Sequence, residues 1–227
     1  MPNWVYNTLT IEGKPESVIK LKDQMNKPFT QSIQANGDLA YSVKEINYSN
    51  PIFAFWNIVA PTDLETYHSQ PDFKSDKPYG GDDWYSWNTR NWGVKWDVAV
   101  SDDNKYPDTQ LYTDEPNGDN HTLVYGFETP WGIPIAALEK LSAQYPELLF
   151  TLSYEEETGW GGEDEFLAGV HKEGSSYNWK CRECDYEEKD EPPFCEECEY
   201  DMCPSCGYGE PDEACQVHSV QSNKEAK

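Results

Sequence analysis

All seven cysteines lie between Cys181 and Cys215, in a regular pattern: Cys181-x2-Cys184-x10-Cys195-x2-Cys198-x4-Cys203-x2-Cys206-x8-Cys215-x2-His218. A C-x2-C turn aims two sulfurs at one metal. Four such pairs supply the eight ligands that two tetrahedral zinc ions need. The confinement of the cysteines and their odd number speak against a secreted disulfide framework. No Cys-Pro run or thioredoxin-like pattern surrounds the pairs, which argues against iron–sulfur or redox dithiol roles. The expectation is two structural Zn2+, with no coordination position open for catalysis. The spacing leaves two pairings open. A sequential arrangement puts Cys181, Cys184, Cys195 and Cys198 on one ion. A cross-braced one joins Cys181 and Cys184 with Cys203 and Cys206, leaving Cys195, Cys198, Cys215 and His218 for the second. Only four residues separate Cys198 from Cys203, which suits pairs facing different metals.

A second group able to do chemistry is the Trp-rich block from Trp84 to Asp97. Trp84, Trp87, Trp92 and Trp96 beside Asp82, Asp83 and Asp97 have the ingredients of a platform that stacks a sugar or a nucleobase. The bland alternative, that the rings plug a core, is the preferred one. Arg90 and Lys95 are the basic residues of the block and are expected to pair with nearby Asp. A pocket lined by Trp84, Trp87, Asp97 and His121 would instead indicate a small-molecule or nucleotide enzyme. Carboxylates also cluster at Asp102/Asp103 and Glu155/Glu156/Glu157, where solvent-facing loops are the simpler reading. His68, His121 and His171 stand singly. No Walker loop, HExxH, serine elbow or dinucleotide fingerprint is present, so no catalytic residue is assigned.

The charge balance narrows the partners. Of 227 residues, 42 are acidic and 17 are Lys or Arg, a formal charge of −25. Residues 155–227 alone carry 21 acidic and 6 basic side chains. Such a chain lacks the cations that neutralise phosphates, so direct nucleic-acid binding and attachment to an anionic membrane are excluded as expectations. The partner that fits is a protein with a basic surface. Glu196, Glu197, Glu199 and Asp201, set between ligand cysteines, are the candidate partner-binding residues. No run approaches the roughly 18 apolar residues of a membrane span, and MPNWVYNTLTIEG does not read as a signal peptide. The expected location is the cytoplasm.

The elements that must position these groups follow from periodicity. Val5 to Ile11 alternates as a half-buried strand, and Pro15 opens a helix carrying Val18, Leu21 and Met25. Ile52 to Ala60 is apolar throughout and predicts a central strand. Residues 62–93 predict an inserted excursion with a short helix from Asp83 to Trp92. Strands are expected at Lys95–Val100, His121–Thr129, Leu148–Tyr154 and Glu165–His171, with a loop over 104–120 and a helix from Pro134 to Tyr145. Both helices can cover one sheet face, which suggests a ferredoxin-like α+β sandwich over residues 1–171. A linker over 172–179, the two-zinc finger over 180–220 and a disordered tail over 221–227 complete the expectation.

Two resemblances sharpen this reading. FCEECEYDMCPSCG resembles the core of ZZ-type zinc fingers, which implies cross-bracing. Some ZZ fingers grip a peptide N-terminus with acidic side chains, and Asp201 matches the Asp of their Tyr-Asp motif. Arg182 stands where those fingers carry Asp, and Cys215 and His218 replace the usual two histidines. The opening MPNW, NWGVKWD at 91–97 and YGFETPWGIP with LSAQYPELLFTLSYEEE at 125–157 resemble the YubB/Api-type ferredoxin-like proteins of phages and plasmids. Val5 stands where Cys is frequent in them. That resemblance implies a mobile-element protein of the bacterial host cytoplasm and no established reaction. The expected function is therefore a non-enzymatic, zinc-binding accessory protein that binds a host or phage protein, as a DNA mimic or anti-host factor acting on a basic, DNA-binding one.

Overall fold

The computed structural model describes residues 2–34, 43–68, 81–103, 108–180, 187–188, 194–195 and 200–201. The frame is an antiparallel sheet with β1 (Trp4–Gly13) at its centre. Its alternation buries Val5, Leu9 and Ile11 and turns Tyr6 and Thr8 outward. Helix α1 (Pro15–Met25) follows at once, with proline at the start, where no amide is needed, and Val18, Leu21 and Met25 fully buried. A ribbon of β2 (Phe29–Gln34) and β3 (Val43–Tyr48) and two short helices, α2 (Leu64–Tyr67) and α3 (Trp84–Trp92), come next. The chain re-enters the sheet as β4 (Gln110–Asn117) and β5 (Asn120–Pro130). It crosses it with α4 (Ile135–Gln144), then adds β6 (Leu149–Glu156), β7 (Gly161–Leu167) and β8 (Val170–Tyr177).

The strand order is β4-β5-β1-β6-β7-β8. The four strands β4, β5, β1 and β6 with α1 and α4 make the ferredoxin-like arrangement, and the β7–β8 hairpin widens it. Side chains of both helices join Leu9, Ile11, Leu123, Tyr125 and Phe150 in one core cluster, so both helices cover the same face. Among the described residues no helix is long and apolar enough to cross a membrane.

Several expected elements take another form. Ile52–Ala60 is no strand but a buried turn, closed by Ile58 and Val59 amides donating to the Phe55 carbonyl at 3.0 Å. Its Phe53 stacks on Phe127 at 5.4 Å, and Phe55 lies against Trp92 at 6.0 Å. The run is apolar because it fills the space over the sheet. Residues 95–100 likewise form no strand. There Asp97 turns inward, and its carboxylate accepts amide hydrogens from Phe55 at 2.8 Å, Trp56 at 2.9 Å, Val98 at 2.7 Å and Ala99 at 3.2 Å. These bonds substitute for a strand ladder. The expected loop over 104–120 contains edge strand β4, where Pro116 is tolerated and Gly118-Asp119 makes the hairpin turn with Gly118 at φ 60°. The single strand expected at 165–171 is the β7–β8 hairpin, turned by Ala168 and Gly169 at φ 52° and 81°. The linker expected at 172–179 is mostly the paired strand β8, whose backbone is bonded to β7.

Beyond β8 come two short strand pairs, β9 (Trp179–Lys180) with β10 (Glu187–Glu188) and β11 (Phe194–Cys195) with β12 (Tyr200–Asp201). Cys181, Cys184, Cys198, Cys203, Cys206, Cys215 and His218 lie outside the described residues, as does the 221–227 tail. Cys195 is described by its backbone alone. Among the described residues no group of three or more His, Cys, Asp or Glu is placed to hold a metal.

Burial pushes the Asp97 carboxyl up to about 6 despite the four amides that favour its charged form. The folded value lies above the ordinary 3.8, so the pH-dependent part of the stability that Asp97 contributes is full below pH 3.8 and is lost as pH rises through about 6, while its hydrogen bonds to the four amides remain. The Asp97 carboxyl 13C resonance should titrate near 6; a midpoint near 4 contradicts the burial. Asp97→Ala should cost ~3 kcal/mol of unfolding free energy by orphaning buried amides. Asp63→Ala, which removes the side-chain cap of the short helix α2, should lower stability far less than Asp97→Ala, because Asp63 is exposed to solvent.

Candidate functional site

The sheet face away from the helices is uncovered among the described residues. Cross-strand register sorts it into rows. Glu128, Tyr6, Glu155, Gly161 and Tyr177 align across β5, β1, β6, β7 and β8. Gly126, Thr8, Ser153, Glu163 and Ser175 form the next row, and Val124, Thr10, Thr151, Glu165 and Lys172 the third. Tyr6 and Tyr112 are 51% and 60% exposed. Two tyrosine rings lie over glycines: a methyl added at Gly126 would overlap the Tyr112 ring, and one at Gly161 the Tyr177 ring. The glycines let these rings rest on the sheet.

Between Tyr6 and Tyr177 the face dips into a groove of about 380 Å³ lined by Thr8, Ser153, Glu155, Glu163 and Ser175. Its carboxylates are oriented from within: Ser153 Oγ donates to Glu163 at 3.0 Å and the Tyr177 hydroxyl to Glu155 at 3.4 Å. Among the described residues six glutamates, Glu12, Glu115, Glu128, Glu155, Glu163 and Glu165, stand on this face. The one lysine among its described residues, Lys172, is held by Glu165 at 2.9 Å. Glu128 is pushed above the usual carboxylate range by partial burial and by the charges of Asp108 and Glu157. The sequence showed that Tyr6 and Thr8 point outward. It did not show which glutamates the register brings beside them.

The Trp-rich block divides. Trp92 is fully buried and its indole donates to the Val59 carbonyl at 3.1 Å. Trp87 packs edge-on against Trp92 at 5.5 Å and Tyr67 at 5.8 Å. These two are core, as the bland reading had it. Asp97 is the internal cap described above. Asp83 caps α3, its carboxylate accepting from the Tyr85 and Ser86 amides at 3.1 Å. Trp84 and Trp96 come together around Lys95, joined by Tyr85, Trp131 and Trp4, which sequence reasoning did not assign to the platform. Arg90 pairs with Asp82 as expected. Lys95 does not follow that expectation: among the described residues no carboxylate pairs with it. His121 pairs with Asp114 at 2.7 Å and His171 with Asp164 at 2.9 Å. Asp114 also pairs with Lys22, which with His121 holds its carboxyl below the usual range. Asp102 binds the Ser49 amide and hydroxyl at 2.8 and 2.7 Å. Glu196, Glu197 and Glu199 lie outside the described residues, and Asp201 is described by its backbone in β12 alone.

If Tyr112 rests on Gly126, the two positions are coupled. Gly126→Ala should displace the exposed Tyr112 ring and destabilise the wild-type chain by no more than about 1 kcal/mol. Most of that loss should vanish in a Tyr112→Ala background. Equal losses in both backgrounds would remove the tyrosine from this place.

Comparison with known proteins adds the following. A family model described as the ferredoxin-like domain in Api92-like protein matches residues 96–194. Among solved structures, the crystal structure of protein api92 from Yersinia pseudotuberculosis is similar at 9% identity with a TM-score of 0.45, covering 80% of this chain and 100% of that one. No curated protein matches the chain. The family match spans β4 to β8 and runs on to Phe194. Over that stretch the chain is similar to the ferredoxin-like domain of Api92-like proteins.

Proposed function

We propose that the chain is a non-enzymatic binding protein whose uncovered sheet face receives a protein with a basic surface. The observation that carries this reading is the face itself. Six glutamates and the rings of Tyr6, Tyr112 and Tyr177 share one sheet face with a single lysine among the described residues, and that lysine is already paired. Partly exposed tyrosines give a partner contact area at low conformational cost, and Arg or Lys side chains stack on such rings. The carboxylates supply steering and register. Open sheets that bind single-stranded nucleic acid use the same aromatic geometry beside cations. Here the cations are replaced by glutamates, which favours a partner that itself binds phosphate. A DNA-binding host protein, with this chain imitating its nucleic acid, is the finer form of the proposal.

A labelled deca-arginine peptide is the probe. Every −25 chain attracts it to some degree, so the comparison is between two triple reversals of equal charge. Replacing Glu128, Glu155 and Glu163 by Lys should weaken binding at least tenfold more than replacing the exposed Glu16, Glu65 and Asp103. The difference should shrink with added salt. Equal losses would mean that only net charge matters and would end the proposal for this face.

The C-terminal segment is proposed as a two-zinc module, with Cys181, Cys184, Cys203 and Cys206 on one ion and Cys195, Cys198, Cys215 and His218 on the other. The strand pairs β9–β10 and β11–β12 support it, because they bracket the first two C-x2-C turns in the sequence. A module this small folds with its metal. Elemental analysis of the native chain should find about two zinc ions per chain. Cys198→Ser should release zinc while the amides of β1, β5 and β6 keep their exchange protection. A zinc content near zero, or iron with visible absorbance, contradicts the assignment.

A further inference from the structure

Lys95 sits among aromatic rings drawn from separate parts of the chain. Its ammonium lies 4.6 Å from the centre of Trp96, 5.2 Å from Trp131, 5.6 Å from Tyr85 and 5.7 Å from Trp84. Trp96 in turn lies 5.9 Å from Trp131 and 6.1 Å from Trp4. The backbone around Lys95 is pinned on both sides. Gly93 closes α3 at φ 86°, the Lys95 carbonyl accepts from Asn88 Nδ2 at 2.8 Å, and Asp97 is tied inward. The lysine is therefore aimed at the rings by its neighbours in sequence.

Three features go beyond what packing requires. First, Trp131 holds φ at 62°, a conformation costly for a bulky side chain, fixed by its amide donating to the Asn3 carbonyl at 2.9 Å. Despite that fixation its ring is 52% exposed, and Trp96 beside it is 39% exposed. Second, the Trp84 indole N–H is buried and has no acceptor among the described residues. Third, the rings attract the ammonium without neutralising it. In a chain of 42 acidic residues, no carboxylate pairs with this cation among the described residues.

We propose that this cluster is a binding site for a small planar aromatic monocarboxylate, its carboxylate on Lys95 and its ring against the exposed faces of Trp96 and Trp131. One ammonium matches one negative charge. A phosphate dianion would leave an excess charge in a chain already at −25, and among the described residues no second cation joins Lys95 among these rings to meet it. An uncharged sugar would leave the ammonium unanswered. A flat ring beside the carboxylate uses the offset or edge-on geometries that exposed indoles favour. The Trp84 N–H offers a further donor to an acceptor entering the cluster. Burial lowers the pKa of Lys95, and an anion seated on it would draw that value back toward normal. This site is separate from the acidic sheet face and does not depend on it.

Benzoate is the probe, titrated into the full chain by calorimetry, with benzamide, inorganic phosphate and adenosine monophosphate as comparisons. Benzoate should bind one site with a Kd around 1 mM, the scale a ligand this small can reach. Benzamide and phosphate should bind at least tenfold more weakly, as should the nucleotide. Lys95→Met, which keeps the stem and removes the charge, should abolish benzoate binding. Trp131→Gly should weaken it severalfold without lowering the melting temperature, because glycine takes φ 62° freely. This second variant keeps the test decisive if Lys95→Met does not fold. Failure of benzoate to saturate overturns the proposal. So does undiminished binding to either folded variant, or benzamide or nucleotide binding as tight as benzoate.

Discussion

A carboxylate inside the core holds together the parts of this fold that no ladder holds. Asp97 accepts four backbone amides, two from the buried turn at Phe55 and Trp56 and two from its own strand-like neighbours. Without it, an apolar segment wound as a coil would carry donors with no acceptor into the interior. With it, Phe53 and Phe55 can fill the space over β5 and β1 that a strand could not reach. The same residue fixes the chain on either side. Lys95 and Trp96 emerge toward the surface rings, while Val98 and Ala99 pack inward. The energetic tension is visible in its carboxyl, which burial pushes up to about 6 against the pull of four hydrogen bonds.

With the interior of the excursion tied down in this way, the described apolar mass lies largely on one side of the sheet. Helices α1 and α4, the 51–60 turn and α3 share a single cluster there. The opposite face is left with what the alternating strands place on it. That is mainly glutamate, threonine, serine and three tyrosines, two of them lying on glycines, with Lys172 paired to Glu165. Alternation decides which residues face outward, and register decides that the carboxylates gather on one plane. The negative charge of the chain thereby gains a shaped location instead of being spread over loops. Such a plane suits a basic partner and repels nucleic acid.

Where one period dominates, the elements were legible in the sequence. β1, α1, β5, α4 and β6 carry clean alternation or helical spacing, and Pro15 in α1 and Pro134 before α4 mark the helix starts. Ile52–Ala60 misled because a short apolar run has no period, and its true form depends on Asp97, some forty residues away. β4 was hidden by Pro116 and Asn117-Gly118, which read as loop signals but serve an edge strand and its hairpin turn. The β2–β3 ribbon shows no strong pattern and was not foreseen. At the sites the same division holds. The Trp84–Trp96 block was visible by composition. Separating core rings from platform rings required knowing that Trp92 points into the interior and that Trp131 swings in from a distant turn. The sheet-face groove was invisible because it consists of residues adjacent only across strands.

The most direct test of the account is to map where a basic partner touches the chain. Amide chemical shifts of the full protein can be followed as a deca-arginine peptide is added at physiological salt. The account predicts the largest changes at Tyr6, Glu155, Gly161, Glu163 and Tyr177, with the α1 and α4 amides little affected. Changes centred instead on residues 196–201, or spread evenly over acidic loops such as Asp102 and Asp103, would contradict it.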